Sequence, residues 1–136
     1  MTWPLRGRLT SLYGRRGRSL HAGIDIAATS GTIIVASAPG RVVRAGERWG
    51  RYGHVVLIEH EDGLRTLYAH TSRAFVALGD RVGSGQAIAA VGSTGNATGP
   101  HLHFEVWSGK RTLDPLSCLE VSGVEESSRS ARLGAR

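Results

Sequence analysis

The chain has one cysteine, Cys118, one lysine, Lys110, and only four prolines in 136 residues. A single cysteine excludes an internal disulfide, so pairing says nothing about redox compartment, and Cys118 is expected to serve packing. No run of about 18 apolar residues is present, which excludes a membrane-spanning helix. Met1-Thr2-Trp3-Pro4 lacks a basic segment followed by an apolar stretch, so no secretory signal is expected here. On that reading the protein either stays in the cytoplasm or is a mature or trimmed fragment. Glycine follows no fixed period, which excludes collagen, and frequent apolar runs exclude wholesale disorder.

What is present fits one modest domain. Hydrophobic residues make up 40% and glycine contributes 19 positions. So much glycine with so little proline points to tight turns and short strands rather than long helices. The net charge of +6 is unevenly placed: residues 1–18 hold five arginines and no acid, whereas residues 19–120 hold nine basic and nine acidic residues. A neutral body with a basic leader is a poor duplex-binding face, so no nucleic-acid partner is expected, although a polyanion such as a cell envelope would attract the leader.

Apolar patterning predicts strands at 24–27, 32–35, 41–44, 54–60, 64–70, 87–91 and 101–107. Residues 54–70 read as a hairpin about Glu61-Asp62-Gly63. Only 71–78 offers a short helical turn. The predicted class is all-β, mainly antiparallel, a single sheet or sandwich with little helix. Residues 1–120 form the predicted domain, and 121–136, rich in Ser, Gly, Arg and Glu, read as a disordered tail.

The histidines carry the chemistry. His101 and His103 alternate with Leu102 and Phe104, so both imidazoles share one strand face while Leu102, Phe104 and Val106 face the core. Asp25 lies between Ile24 and Ile26, and a carboxylate in an apolar strand must be paired, hydrogen-bonded or metal-bound. His21 is expected on a loop, folded onto Asp25 by one turn. His70 ends Leu67-Tyr68-Ala69-His70. Each element alone has an ordinary reading: an exposed strand face, a turn-capping aspartate, a solvated histidine. His54 and His60 bracket one strand and are assigned to structure or solvent. Taken together, two histidines and an aspartate can make a three-ligand zinc set with one position left open, and two further histidines can supply proton transfer.

Leu9-Thr10-Ser11-Leu12-Tyr13-Gly14-x-Arg16 is followed by His21-x-Gly23-Ile24-Asp25-Ile26-Ala27, then Tyr52-Gly53-x-x-Val56-x-Ile58-x-His60 and Tyr68-Ala69-His70-x-Ser72. Gly79-Asp80, Gly85-Gln86 and Val91-Gly92-x-Thr94-Gly95 lead to Gly99-Pro100-His101-Leu102-His103-Phe104-Glu105-Val106, and Asp114-Pro115 closes the series. Over residues 8–119 the chain resembles the lysostaphin-type (LytM-like) zinc metallopeptidases, which cut peptide cross-links in bacterial cell walls. The resemblance implies an antiparallel sheet with a long groove. It implies one Zn²⁺ held by His21, Asp25 and His103, and a catalytic pair, His70 and His101; one serves as general base and the other orients the water or stabilises the oxyanion, an assignment the sequence leaves open while favouring His101 as base. It also implies a peptidoglycan peptide substrate and a periplasmic, envelope-associated or secreted location; a monomer is the default expectation, with oligomeric state left open by the sequence. Thr29 and Ala89 depart from residues frequent in the family, away from the metal set. Relatives that activate amidases instead of cutting have usually lost ligands or the catalytic histidine; all five positions stand here, which counts against the alternative of a wall-binding module or amidase activator.

Overall fold

The computed structural model describes residues 1–120. Its strands are β1 (Arg8–Ser11), β2 (Gly14–Arg16), β3 (Ser19–His21), β4 (Ile24–Ala27), β5 (Ile33–Val35), β6 (Gly40–Arg48), β7 (His54–Glu59), β8 (Leu64–Ala74), β9 (Arg81–Val82), β10 (Ala87–Val91), β11 (His101–Ser108) and β12 (Arg111–Leu113). Among the described residues the helical elements are two single 3-10 turns, Gly50–Tyr52 and Pro115–Ser117. None is long and apolar enough to cross a membrane. The expected tail over 121–136 lies outside the described residues.

The fold is all-β, and its ladders are antiparallel. The main sheet runs β1-β4-β11-β8-β7-β6-β9, with β10 bridging β8 and β5 and β12 added to β11; β2 and β3 form a separate hairpin. Alternation sorts the two faces of the main sheet. Ile24, Ile26, Val56, Ile58, Tyr68, Leu102, Phe104 and Val106 point into the principal core, where all are at most 1% exposed. Each large side chain buried there stabilises the fold by about 1.5–3 kcal/mol relative to exposure. The opposite face carries a smaller cluster of Val55, Leu57, Leu67 and Ala69. Asp25, His101, His103 and Glu105 share that second face, because each is one residue out of phase with a core position.

The hairpin expected over 54–70 is present as β7 and β8, with Gly63 at φ 85° in the connecting turn. The helical turn expected within 71–78 is not. Residues 71–74 continue β8 because β10 offers them a ladder: Val91 pairs with Thr71, Ala90 with Arg73 and Ala89 with Ala74. Pairing with a neighbouring strand overrides the weak local preference. Cys118 packs, half-buried, against the principal core. His60 is buried between the Pro39 carbonyl (2.8 Å) and the Thr66 hydroxyl (2.9 Å), a structural placement. His54 Nδ1 bonds the Gly46 carbonyl at 2.9 Å.

Candidate metal centre

Asp25 owes its position to strand alternation. Ile24 and Ile26 are drawn into the core, and Asp25 is thereby turned to the other face. Its register partner across the β4–β11 ladder is His103. Asp25 Oδ1 lies 2.7 Å from His103 Nδ1, and Oδ2 lies 3.2 Å from His21 Nε2. One ligand atom from each of His21, Asp25 and His103 falls within 4.8 Å of the others. His21 was expected on a loop but is the last residue of β3, opposite Gly14 in the small hairpin. The hairpin carries arginines where apolar alternation would mark a strand, so no residue pattern announces it.

Gly23, between His21 and Asp25, lets the chain lie close against β11. A side chain there would run into the Phe104 carbonyl and come within 2.9 Å of Glu105 Cγ. Only glycine allows the chain to approach β11 this closely.

The outer nitrogens of the histidines fix their tautomers. His21 Nδ1 is 2.8 Å from the Leu12 carbonyl, His70 Nδ1 is 2.7 Å from the Thr94 carbonyl, and His101 Nδ1 is 2.9 Å from the Gly99 carbonyl. A carbonyl only accepts, so each Nδ1 carries a proton, and Nε2 is the nitrogen left to face the cluster. Arg16 Nη2 also donates to the Leu12 carbonyl at 3.0 Å, so its 3.3 Å approach to His21 Nδ1 sets two donors side by side on one acceptor. The Nε2 of His101 lies 3.8 Å from Asp25 Oδ1. The His70 and His101 rings stand 4.8 Å apart beside the cluster.

His70 is also the one non-glycine residue among those described with a left-handed backbone, at φ 63°. It falls where the β7–β8 register shifts between His54 and Val56. The strain of that conformation is localised at a histidine facing the cleft, a common coincidence of strain and function.

Electrostatics separate the residues. Burial opposes charging His103, but its bonds to Asp25 and Glu105 prevail and push the ring up to about 9. Burial opposes ionising Asp25, yet the bond to His103 and the neighbouring imidazoles hold it below the usual carboxylate value. Burial dominates at His70 and lowers its pKa, with His101 and His103 adding to the effect, so the ring is neutral near pH 7.

All five expected residues line one open cleft of about 350 Å³. Arg51 and Tyr52, on the 3-10 turn, form part of its wall, and Asn96 and Thr98 form another part. Beside them Trp49 lies under the Arg44 guanidinium at 4.8 Å. Sequence reasoning gave no role to Glu105, Tyr52 or Thr94. Glu105 had a usable signal, since it follows His103 by two positions on the same strand face. Tyr52 and Thr94 reach the site through loops, whose course spacing does not reveal.

Imidazole nitrogens and a carboxylate converging in an open cleft make a candidate metal site, with the donor set found in metal-binding peptidase domains. Comparison with known proteins gives the family. Peptidase family M23 matches residues 19–115, and the chain belongs to it. It is 47% identical over 116 residues to the DD-carboxypeptidase/endopeptidase Mpg of Neisseria meningitidis serogroup B, covering 81% of this chain and 26% of that protein. It is 38% identical over 117 residues to the murein hydrolase activator NlpD of Escherichia coli, covering 86% of this chain and 30% of that protein. The chain thus spans about a quarter to a third of the length of these curated relatives. Among solved structures, the catalytic domain of lysostaphin from Staphylococcus simulans superposes with a TM-score of 0.74 at 34% identity, covering 82% of this chain and 91% of that domain.

Proposed function

We propose that this domain is a zinc-dependent endopeptidase that hydrolyses peptide cross-links or stem peptides of bacterial peptidoglycan. The observation that carries the reading is the joint geometry of five residues: three donors within 4.8 Å, flanked by two imidazoles whose tautomers aim their lone pairs inward. The donor set of two nitrogens and a carboxylate suits one Zn²⁺ per chain, held by His21 Nε2, Asp25 and His103 Nδ1. Bound there, zinc supplies a Lewis acid that polarises the scissile carbonyl and lowers the pKa of a water.

The remaining work belongs to the chain. His70 is neutral and offers an acceptor at Nε2, which suits it to hold and orient the attacking water. His101 Nε2 takes the proton as the water oxygen bonds to the carbonyl carbon. The same imidazolium then gives that proton to the leaving amine nitrogen as the C–N bond breaks. The open cleft admits a thin peptide rather than a folded protein. Such a substrate places the protein's work in the periplasm, the cell envelope or outside the cell, and the domain needs no second copy to complete its site.

The test is digestion of purified sacculi with and without a chelator, with products identified by mass. Loss of cross-linked muropeptides that stops with chelator and returns with zinc is the expected result. The similarity to a hydrolase activator supports a second reading, a wall-binding or amidase-activating module. Zinc-loaded protein that releases no product from several wall chemistries would favour it.

A further inference from the structure

Glu105 is a buried carboxylate that the five-residue cluster does not use. It is 1% exposed, and a charge so placed must be compensated. The compensation is three aromatic donors. Oε2 accepts from His103 Nε2 at 2.7 Å and from the Tyr52 hydroxyl at 2.9 Å. Oε1 accepts from Trp107 Nε1 at 2.7 Å. Tyr52 adds a second restraint, because its ring stacks on His103 with centroids 5.8 Å apart and planes 29° apart. On the other side, Gly23 leaves room for Glu105 Cγ.

We propose that Glu105 is a positioning residue for the metal centre: it holds His103 in the Nε2–H form, with the ring turned so that Nδ1 faces the ligand cluster. The proposal rests on the reading of His103 as a zinc ligand. A carboxylate can only accept, so His103 Nε2 must carry a proton; the proton that Nδ1 shares with Asp25 in the metal-free ring is the one zinc would displace, which leaves Nδ1 as the ligating atom. The two carboxylates bond opposite sides of the ring, Asp25 at Nδ1 and Glu105 at Nε2, which separates their roles. Both oxygens of Glu105 are already engaged, so it supports a ligand rather than serving as one. Such outer carboxylates fix the tautomer of a ligating histidine and make it more basic. Tyr52 sits on the turn that walls the cleft, so the same network ties that wall to the metal centre.

The donor pattern makes a specific demand. Glutamine at 105 would have one accepting oxygen and one NH₂ group. Turned one way, its NH₂ faces His103 Nε2 and drives the ring's proton to Nδ1, the atom meant for zinc. Turned the other way, the NH₂ faces the Trp107 N–H, which is fixed as a donor. Replacing Trp107 by phenylalanine removes that second conflict and lets the glutamine oxygen accept from His103.

The experiment measures zinc affinity by chelator competition for the natural chain, Glu105→Gln, and Glu105→Gln with Trp107→Phe. Far-UV circular dichroism checks folding. Glu105→Gln should bind zinc about 10–100-fold more weakly, the cost typical of such partners, and the double variant should recover part of the loss. A change in Glu105→Gln of less than about twofold, at an affinity magnitude where supporting carboxylates matter, overturns the proposal, as does a double variant weaker still. Long-range ¹H–¹⁵N spectra of the natural zinc-loaded chain provide a test independent of any variant's folding. His103 should show an exchange-protected Nε2 proton; an Nδ1 proton overturns the proposal. Failure of the natural chain to bind zinc at all is a different result, and defeats the zinc reading itself.

Discussion

Asp25 and His103 are direct partners across the β4–β11 ladder, with Oδ1 2.7 Å from Nδ1. The contact joins two atoms that would both hold zinc, so protons and metal compete for one place. His101, two residues earlier on the same face, stands further off, with Nε2 3.8 Å from the same oxygen. One strand thus presents two histidines in different relations to the carboxylate.

That difference predicts a split between two alanine variants. His103→Ala should lose zinc during gel filtration. His101→Ala should keep zinc and lose turnover on sacculi by at least about 10²-fold, the usual contribution of a proton-transfer group. Metal analysis of both purified variants is the check. Equal metal loss in the two would undo the separation of ligand from base.

The elevated basicity of His103 predicts how stability depends on pH. Burial works against its charge, but Asp25 and Glu105 raise the ring from the ordinary 6.5 to about 9. The folded metal-free protein therefore holds a proton that the unfolded chain releases near 6.5. This contribution is complete below pH 6.5, falls as pH rises, and is gone above about 9. Its upper bound is about 3 kcal/mol, and the lowered pKa of Asp25 reports the same interaction and adds nothing further. Chelated protein should show a falling Tm from pH 6.5 to 9, whereas zinc, by replacing the proton, should flatten the decline. Scanning calorimetry with and without zinc measures both; a flat profile in chelator would contradict the ion pair.

Much of this site was legible because strand alternation is a strict rule. Asp25 between two isoleucines, and two histidines interleaved with Leu102 and Phe104, had to share a face once β4 and β11 paired. What stayed hidden depended on loops and on unpatterned strands. The β2–β3 hairpin that carries His21 reads as a run of arginines. The continuation of β8 past His70 depends on β10, a strand further along the chain that pairs Ala89 with Ala74 and Val91 with Thr71. Thr94 holds His70 through a backbone carbonyl, and any residue type has one, so no sequence signal could mark it.

His70 predicts a separation of stability from activity. Its φ of 63° is strained for any residue with a Cβ, by about 1–2 kcal/mol, and glycine escapes that strain. Alanine and glycine at position 70 both lose the bond to the Thr94 carbonyl. His70→Gly should therefore be more stable than His70→Ala by about 1 kcal/mol, while neither digests sacculi. Urea unfolding of the pair reads the difference. If alanine proves as stable as glycine, the backbone at this position is relaxed and the strain is absent.

Gly23 predicts that a single methyl group will disturb stability and metal binding together. A Cβ at position 23 would collide with the Phe104 carbonyl and press to 2.9 Å on Glu105 Cγ. The first obstacle is backbone in the middle of a sheet and cannot yield; the second is the carboxylate that braces His103. Overpacking of this kind costs about 1–3 kcal/mol. Gly83 provides the control, since its Cβ would meet nothing within 4 Å and its backbone is not left-handed. Gly83→Ala should change stability by less than about 0.5 kcal/mol in either direction. Gly23→Ala should lower the unfolding midpoint and weaken zinc binding in the same protein, because the displaced elements carry Asp25, Glu105 and His103. Denaturant unfolding and chelator competition on the two variants decide the matter. Loss of stability with zinc affinity intact would mean that the strand shifts as a body and leaves the metal centre undisturbed.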